Sequence, residues 1–311
     1  MNNPHLHLLL NHVPTIGTVI AFGLLLLSFM RRDNGLKRVS LEVFFVVALL
    51  TLPAYLSGVG TEFTFESYPD ISKETIVRHH DAALVASMFM LLTGVLSWLA
   101  LWQWRRLDRP RNGALALVLL ASAVTLVLMG RAANIGGEIR HPEILPPDTP
   151  AAVVAPGWLT AQAIRDVVNG ATWVWPTNEV LHFIGLWLLF GIVLLVNLRL
   201  LGLMKGIPFA AIHRLLPWAM LGLVVNTLTG MGFLIAAPSQ YVENISFFWK
   251  IGLLLIAGMN LLYVTAFDGP WRVQANQDAP VLQKTFAVAA LGLWVGVMYF
   301  GRMLPFIGNA F

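Results

Sequence analysis

Residues 130–143 read GRAANIGGEIRHPE, and this segment separates a run of apolar residues from a polar connection. The preceding residues, 114–130, contain no charged side chain and approach the length needed to cross a bilayer. Two arginines, two glutamates, an asparagine and a histidine then follow within the segment. This change predicts a membrane span that ends near Gly130, with polar chemistry available at its end.

The same apolar pattern occurs eight times along the 311 residues. Hydrophobic residues make up 57% of the chain and charged residues 12%, about half the charged share of a soluble domain. The sequence therefore predicts an all-α integral membrane protein with eight transmembrane helices. The second span is short and contains Pro53, so we expect a kink there. The predicted spans are 12–30, 41–58, 79–104, 114–130, 179–203, 214–236, 247–267 and 282–304.

The composition excludes several kinds of site. The chain has no cysteine, which excludes disulfides, thiolate metal sites, iron–sulfur clusters and covalently attached haem. The net charge is +4 and the pI about 9.6. We attribute this modest excess to Lys and Arg beside the membrane and not to a nucleic-acid surface. The first apolar run is not followed by a small-residue cleavage site, so we expect it to remain as a span.

The distribution of basic residues predicts the orientation of the spans. The connections after spans one, three, five and seven carry arginine and lysine, and such connections face the cytoplasm. Both termini, the acidic 59–78 loop and the long 132–178 connection are then expected on the periplasmic side. The basic residues concerned are Arg31, Arg32, Lys37, Arg38, Arg105, Arg106, Arg109, Arg111, Arg199, Lys205, Arg214, Arg272 and Lys284.

The long connection divides the chain into two predicted four-helix bundles. We expect an N-terminal bundle over 1–131, a periplasmic connection over 132–178 and a C-terminal bundle over 179–311. The connection is rich in proline and contains a predicted interfacial helix at about 159–168. It also contains Trp173 and Trp175, which are typical of a membrane interface.

Seven of the eight histidines fall on the side predicted to be external. Four of these lie near the start of odd-numbered spans and share one depth: His12, His79, His80 and His182. Two imidazoles from neighbouring helices can hold a haem iron axially. We therefore predict a non-covalent haem b site with His12 as one ligand and either His79 or His80 as the other.

The sequence leaves the choice between His79 and His80 open. The two differ by about 100° around a helix, so only one can face the bundle squarely. The face of His79 continues through the small residues Ala82, Ala83 and Ala86, whereas the face of His80 is more mixed. Small neighbours suit a flat macrocycle, which favours His79 slightly.

Three further residues complete the predicted site. Arg131 is a candidate partner for a haem propionate, and His182 and His141 are reserve ligands for iron. Each also has a plainer interpretation, because interface histidines contact headgroups or water and Arg131 can extend to the headgroups. Gly136 and Gly137 indicate either a sharp turn beside a ligand or the end of a helix.

The N-terminal half resembles a known type of membrane protein. The segment His7–Pro14, with sequence HLLLNHVP, together with Gly58 and the pair His79-His80, resembles an uncharacterised bacterial membrane family over residues 1–131. Members of that family enter the first span with a His-Pro-Leu-Leu-Val-His-Phe-Pro type segment. This chain has Leu8 where that pattern has proline. We expect the residues before Pro14 to form a frayed entry segment.

The C-terminal half is similar to a second uncharacterised bacterial family with four spans. This chain departs from that family at Asn197, where aspartate is usual, and lacks a histidine near Phe267. The two resemblances imply a bacterial inner-membrane protein and make b-type cytochrome character plausible. The similar segments are 182–185, 197–202 and 214–218, with Lys250 in the seventh span.

The leading hypothesis is a multi-pass protein of the bacterial inner membrane that carries haem b. It would pass electrons between the quinone pool and a periplasmic electron carrier, as a subunit of a larger membrane complex, with bound quinone as a second cofactor. A non-catalytic scaffold or assembly subunit that docks through the external connection is the second hypothesis. A small-molecule or metal permease is the third, disfavoured by the few ionisable residues near mid-membrane. The lipid bilayer is a partner in all three.

Overall fold

The computed structural model describes residues 2–65, 71–144 and 154–307. Of these described residues, 84% are helical, and none is in a β-strand. Eight helical segments are long and apolar enough to cross a membrane. These observations confirm the predicted all-α fold with eight spans, while the side on which the termini lie stays a prediction.

The chain divides into two compact units, Met1–Asp166 (unit 1) and Val167–Phe311 (unit 2). In unit 1, α2 packs on α3, α3 on α4 and α4 on α5, and α5 also contacts α2. Short connections between antiparallel neighbours produce this up-and-down bundle. Its helices are α1 (Asn3–Leu10), α2 (His12–Arg31), α3 (Asn34–Phe65), α4 (Lys73–Leu107), α5 (Asn112–Glu138) and the first part of α6 (Ala161–Gly170).

Unit 2 is built from four long helices and three short ones. Helix α7 packs on α9 and on α13, and α11 packs on α13. All four long helices contribute to one apolar core, which contains Leu189, Ala219, Ala257 and Trp294. The helices are α7 (Val174–Leu200), α8 (Phe209–Ile212), α9 (Leu216–Ala236), α10 (Ser239–Val242), α11 (Ile245–Ala266), α12 (Asp268–Trp271) and α13 (Val281–Met303).

The second span is longer than its apolar run. The sequence predicts a short span at 41–58, but α3 covers Asn34–Phe65 and continues through Pro53. Its polar end stays helical, and the hydroxyls of Thr61 and Thr64 donate to carbonyls four residues earlier. The prediction of a short second span is therefore wrong.

The first span consists of two helices, α1 and α2, which meet at Asn11. Pro14 has no amide hydrogen and cannot donate to the Leu10 carbonyl, which accounts for a break at this point. The side chain of Asn2 caps α1 by accepting from the His5 amide at 3.1 Å. The residues before Pro14 form a capped helix, so the expectation of a frayed entry segment is wrong.

The segment 130–143 is mostly helical. Helix α5 ends at Glu138 and includes Gly136 and Gly137, and a 3₁₀ turn at Pro142–Ile144 follows. Neither glycine turns the chain sharply or ends the helix, contrary to the two interpretations that the sequence suggests. Gly136 instead makes room for a histidine ring of the neighbouring helix α4.

Candidate cofactor site

His7 lies on α1 and contacts the C-terminal part of α3. Its Nδ1 is 3.1 Å from the Ala54 carbonyl oxygen and 3.3 Å from Ser57 Oγ. The Ser57 hydroxyl itself donates to the Ala54 carbonyl at 2.9 Å. Because a carbonyl oxygen only accepts, Nδ1 of His7 carries a proton and donates it. In the neutral ring, Nε2 is then a lone-pair acceptor.

His79 shows the same arrangement on α4. Its Nδ1 is 3.0 Å from the Ala132 carbonyl oxygen on α5, so this nitrogen also donates a proton. In the part of the chain that the structure describes, no hydrogen-bond partner is found for Nε2 of either His7 or His79. Each ring therefore keeps one unshared nitrogen lone pair.

A glycine makes room for each of these two rings. A Cβ atom at Gly58 would lie 3.0 Å from His7 Cε1, and one at Gly136 would lie 2.9 Å from His79 Cε1. Any larger residue would push the ring away from its carbonyl partner. Tyr55 and His80, the sequence neighbours of Ala54 and His79, are hydrogen-bonded at 2.9 Å, so the rings of His7 and His79 lie in one region of unit 1.

His80, the neighbour of His79, has both ring nitrogens occupied. Its Nδ1 is 2.6 Å from Glu62 Oε2, and its Nε2 is 2.9 Å from the Tyr55 hydroxyl. The Tyr55 and His80 rings also contact each other, with centroids 5.7 Å apart. Of the two adjacent histidines, the geometry thus leaves only His79 with a nitrogen available to a ligand.

Two buried carboxylates of unit 1 are bound by other groups. Glu138 accepts from Asn134 Nδ2 at 2.9 Å and from Arg78 at 3.5 Å. The Asp81 carboxylate accepts from the backbone amide of Ala161 at 2.8 Å and so anchors the first residue of α6. Although Asp81 directly follows His79 and His80 in the sequence, its observed hydrogen bond holds a helix end.

The other predicted site residues of unit 1 are His12, His141 and Arg131. His12 is exposed at the start of α2. His141 is exposed, with Nδ1 3.0 Å from Glu143 Oε1. A bond from the backbone amide of Glu143, followed by this bond to His141, lowers the pKa of the Glu143 carboxyl. Arg131 is half-buried on α5 and directly precedes the residue that binds His79.

His182, the remaining predicted ligand, belongs to a separate polar cluster in unit 2. Its Nδ1 is 2.8 Å from Thr229 Oγ1, and the Thr229 hydroxyl donates to the Val225 carbonyl at 2.7 Å. The threonine proton is therefore in use, and His182 Nδ1 is the donor of the pair. Asn226 Nδ2 also donates to the His182 carbonyl at 2.7 Å. We call this group the His182 cluster.

Arg199 organises the opposite end of unit 2. The side chain is fully buried. Its Nε donates to the Ile207 carbonyl, and one terminal nitrogen donates to the carbonyls of Gln274 and Gln277 at 2.8 and 3.3 Å. The guanidinium thus joins the connection that follows α7 to the connection that precedes α13. This role is structural, and Arg199 lies near the opposite end of α7 from His182.

Part of the chain matches the model of a known family. Residues 4–141 match the model of a family described as a predicted membrane protein (DUF2231). That stretch contains His7, His79 and both glycines against which their rings lie. The resemblance of the N-terminal half to an uncharacterised membrane family is consistent with this match. A search of curated proteins and a search of solved structures found no match.

Sequence reasoning missed the parts played by His7, Tyr55 and Glu62. Their contacts cross between helices that are distant in sequence, so no local pattern of residues reports them. One available signal was the family-like motif itself, because His7 and Gly58 both belong to it. The structure shows these two residues in contact.

Proposed function

We propose that this chain is a haem b protein of the bacterial inner membrane. In this proposal it passes electrons between the quinone pool and an electron carrier on the periplasmic side, as a subunit of a larger complex. The observation that supports it best is the pair of half-buried imidazoles, His7 and His79. Each donates through Nδ1 to a backbone carbonyl and keeps an Nε2 lone pair. In this proposal His7 takes the place of His12, because His12 is exposed.

The donor set suits a haem better than a bare metal ion. In the described ranges 2–65, 71–144 and 154–307, no group of three or more His, Asp or Glu side chains could hold a metal ion. Metal sites built from protein alone usually need three or four such ligands. In a haem the macrocycle itself supplies four nitrogens, so His7 and His79 would be enough to hold the iron. When bound, haem b supplies a reversible one-electron couple.

The residues around the two histidines would fix and tune such ligands. The carbonyls of Ala54 and Ala132 hold the imidazoles in the tautomer that ligates through Nε2, and they increase the basicity of that nitrogen. Gly58 and Gly136 let the rings lie close to the helices that carry those carbonyls. Arg131, one residue before Ala132, is the candidate to pair with a propionate.

The proposal is tested by visible spectroscopy of the protein purified from membranes. We expect a Soret band and, after reduction, a sharp alpha band typical of low-spin haem b. A short-tailed ubiquinol should reduce the haem and produce the same reduced spectrum. A protein that shows neither band after expression with sufficient haem, and that fails to take up added haemin, would contradict the proposal.

A further inference from the structure

The His182 cluster takes no part in the proposed haem site, and it contains two polar groups without partners. Nδ1 of His182 donates to Thr229, so Nε2 of the neutral ring is an acceptor. Lys250 lies half-buried on α11. Over the residues that the structure describes, neither His182 Nε2 nor Lys250 Nζ has a hydrogen-bond or ion-pair partner.

Both side chains lie at one end of the apolar core of unit 2. His182 lies about two helical turns before Leu189, and Lys250 about two turns before Ala257, so each shares a helix face with a core residue. The two side chains also interact electrostatically. Gly301 of α13 faces Lys250, since a Cβ atom there would lie 3.6 Å from Nζ. Three helices therefore surround one small polar layer.

The layer is bordered by aromatic rings and by surface suited to lipid. Phe233 lies edge-on to His182, with centroids 5.8 Å apart, and Trp175 lies 5.0 Å from Phe233. On the outer side of α7, Phe183 and Trp187 are 58% and 72% exposed. A ligand with an apolar ring would reach this layer from the hydrocarbon phase and contact the aromatic border.

The two partnerless groups restrict the chemistry of a ligand. His182 Nε2 needs a donor, and the Lys250 ammonium needs an acceptor. The phosphate diester of a lipid headgroup only accepts, as does the carbonyl of an oxidised quinone, so each would leave His182 without a partner. A hydroxyl group donates and accepts at once. In a lipid-soluble aromatic alcohol, the hydroxyl would bond both polar groups and the ring would pack against the aromatic side chains.

We propose that His182 and Lys250 form a binding site for the headgroup of a lipid-soluble hydroquinone. One ring hydroxyl donates to His182 Nε2 and accepts from Lys250 Nζ. The inference rests on the proposed function in one respect, because the quinone pool that serves the haem site is the source of this ligand. Binding of the hydroquinone does not itself require haem.

The test is calorimetric titration of the full chain in phosphatidylcholine nanodiscs, without oxygen, with decylubiquinol as the probe. Lys250→Met keeps an unbranched apolar stem but removes the amine, and His182→Asn keeps a donor for Thr229 but removes the ring acceptor. Each change should raise the Kd about tenfold or more, because each removes one hydrogen bond to the ring hydroxyl. Lys284→Met, which removes a lysine bound to Asp278 away from the cluster, should leave the Kd unchanged.

A second comparison uses the unaltered chain and so does not depend on the folding of any variant. The dimethyl ether of the same hydroquinone cannot donate, and we expect it to bind about tenfold more weakly or worse. Equal affinity for ether and hydroquinone overturns the inference, as does an unchanged Kd in both variants. Competition by phosphatidylglycerol would assign Lys250 to a lipid phosphate and would also overturn it.

The results of this test distinguish a failure of the hydroquinone site from a failure of the haem proposal. Hydroquinone binding in a protein that has no haem spectrum supports this inference and contradicts the haem proposal. A normal haem spectrum in a protein that binds no hydroquinone contradicts this inference alone.

Discussion

Gly58 and Gly136 determine where two histidine side chains can lie. Both glycines are within regular helices, so they provide room for a neighbouring side chain and do not adopt an unusual backbone conformation. The space allows each imidazole to approach a backbone carbonyl, and the carbonyl then fixes which nitrogen carries the proton. In this way a residue without a side chain sets the chemistry of a residue on a neighbouring helix.

The first prediction concerns Gly136 and its matched control, Gly130, on the same helix. In Gly136→Ala, the new Cβ would lie 2.9 Å from His79 Cε1, so the ring must move and its bond to Ala132 weakens. We expect a loss of about 1–3 kcal/mol in stability and a lower haem content. In Gly130→Ala, the Cβ meets no atom within 4 Å.

The control should raise stability slightly, by up to about 1 kcal/mol, because alanine favours the helix. Thermal unfolding followed by circular dichroism, with haem content per protein, measures both variants. Equal unfolding temperatures and equal haem content for the two would show that His79 does not depend on the space at Gly136.

Helices α3, α4 and α5 of unit 1 extend beyond the apolar runs that predict them. Within a run, hydrophobic residues reveal a span because the bilayer requires them. At the ends, polar residues continue the helix when they find partners, as Glu138 does with Arg78 and Asn134. Those partners lie on other turns or on another helix, so the sequence could place the spans but not their last turns.

Helices α7 and α9 approach each other closely at a pair of glycines. A Cβ atom at Gly222 would lie 2.7 Å from the Gly185 carbonyl oxygen, so Gly222→Ala must separate the two backbones. We predict a loss of about 1–3 kcal/mol in stability for this variant. Gly191→Ala on α7 meets no atom within 4 Å and serves as the control. Unfolding in mixed micelles compares the two, and an equal effect would argue against close packing at this crossing.

The whole molecule is an eight-span helical protein in two units, and its orientation in the membrane is open to a direct experiment. The absence of native cysteine makes single-cysteine labelling simple. Arg109→Cys and Glu143→Cys place one thiol in each of two exposed connections. The basic loops predict that an impermeant maleimide labels position 143, and not position 109, from outside intact spheroplasts. Labelling in the reverse pattern would invert the predicted topology.

The sequence predicted the fold class and the number of spans, because runs of apolar residues indicate both. It did not predict the pair His7 and His79, because that pair depends on carbonyls of α3 and α5 that no local motif reveals. His12 is an imidazole near the start of a predicted span, as expected of a haem ligand, yet its side chain is exposed on α2. Position in the chain indicates depth in a membrane, whereas the direction of a side chain depends on the packing of neighbouring helices.

The most direct measurement is the reduced-minus-oxidised visible spectrum of single-histidine variants. We predict that His7→Ala and His79→Ala each abolish or shift the low-spin alpha band, because each removes one Nε2 ligand. His12→Ala and His141→Ala should leave the band unchanged. A band that survives in both His7→Ala and His79→Ala, or that is lost in His12→Ala alone, would contradict the assignment of the site.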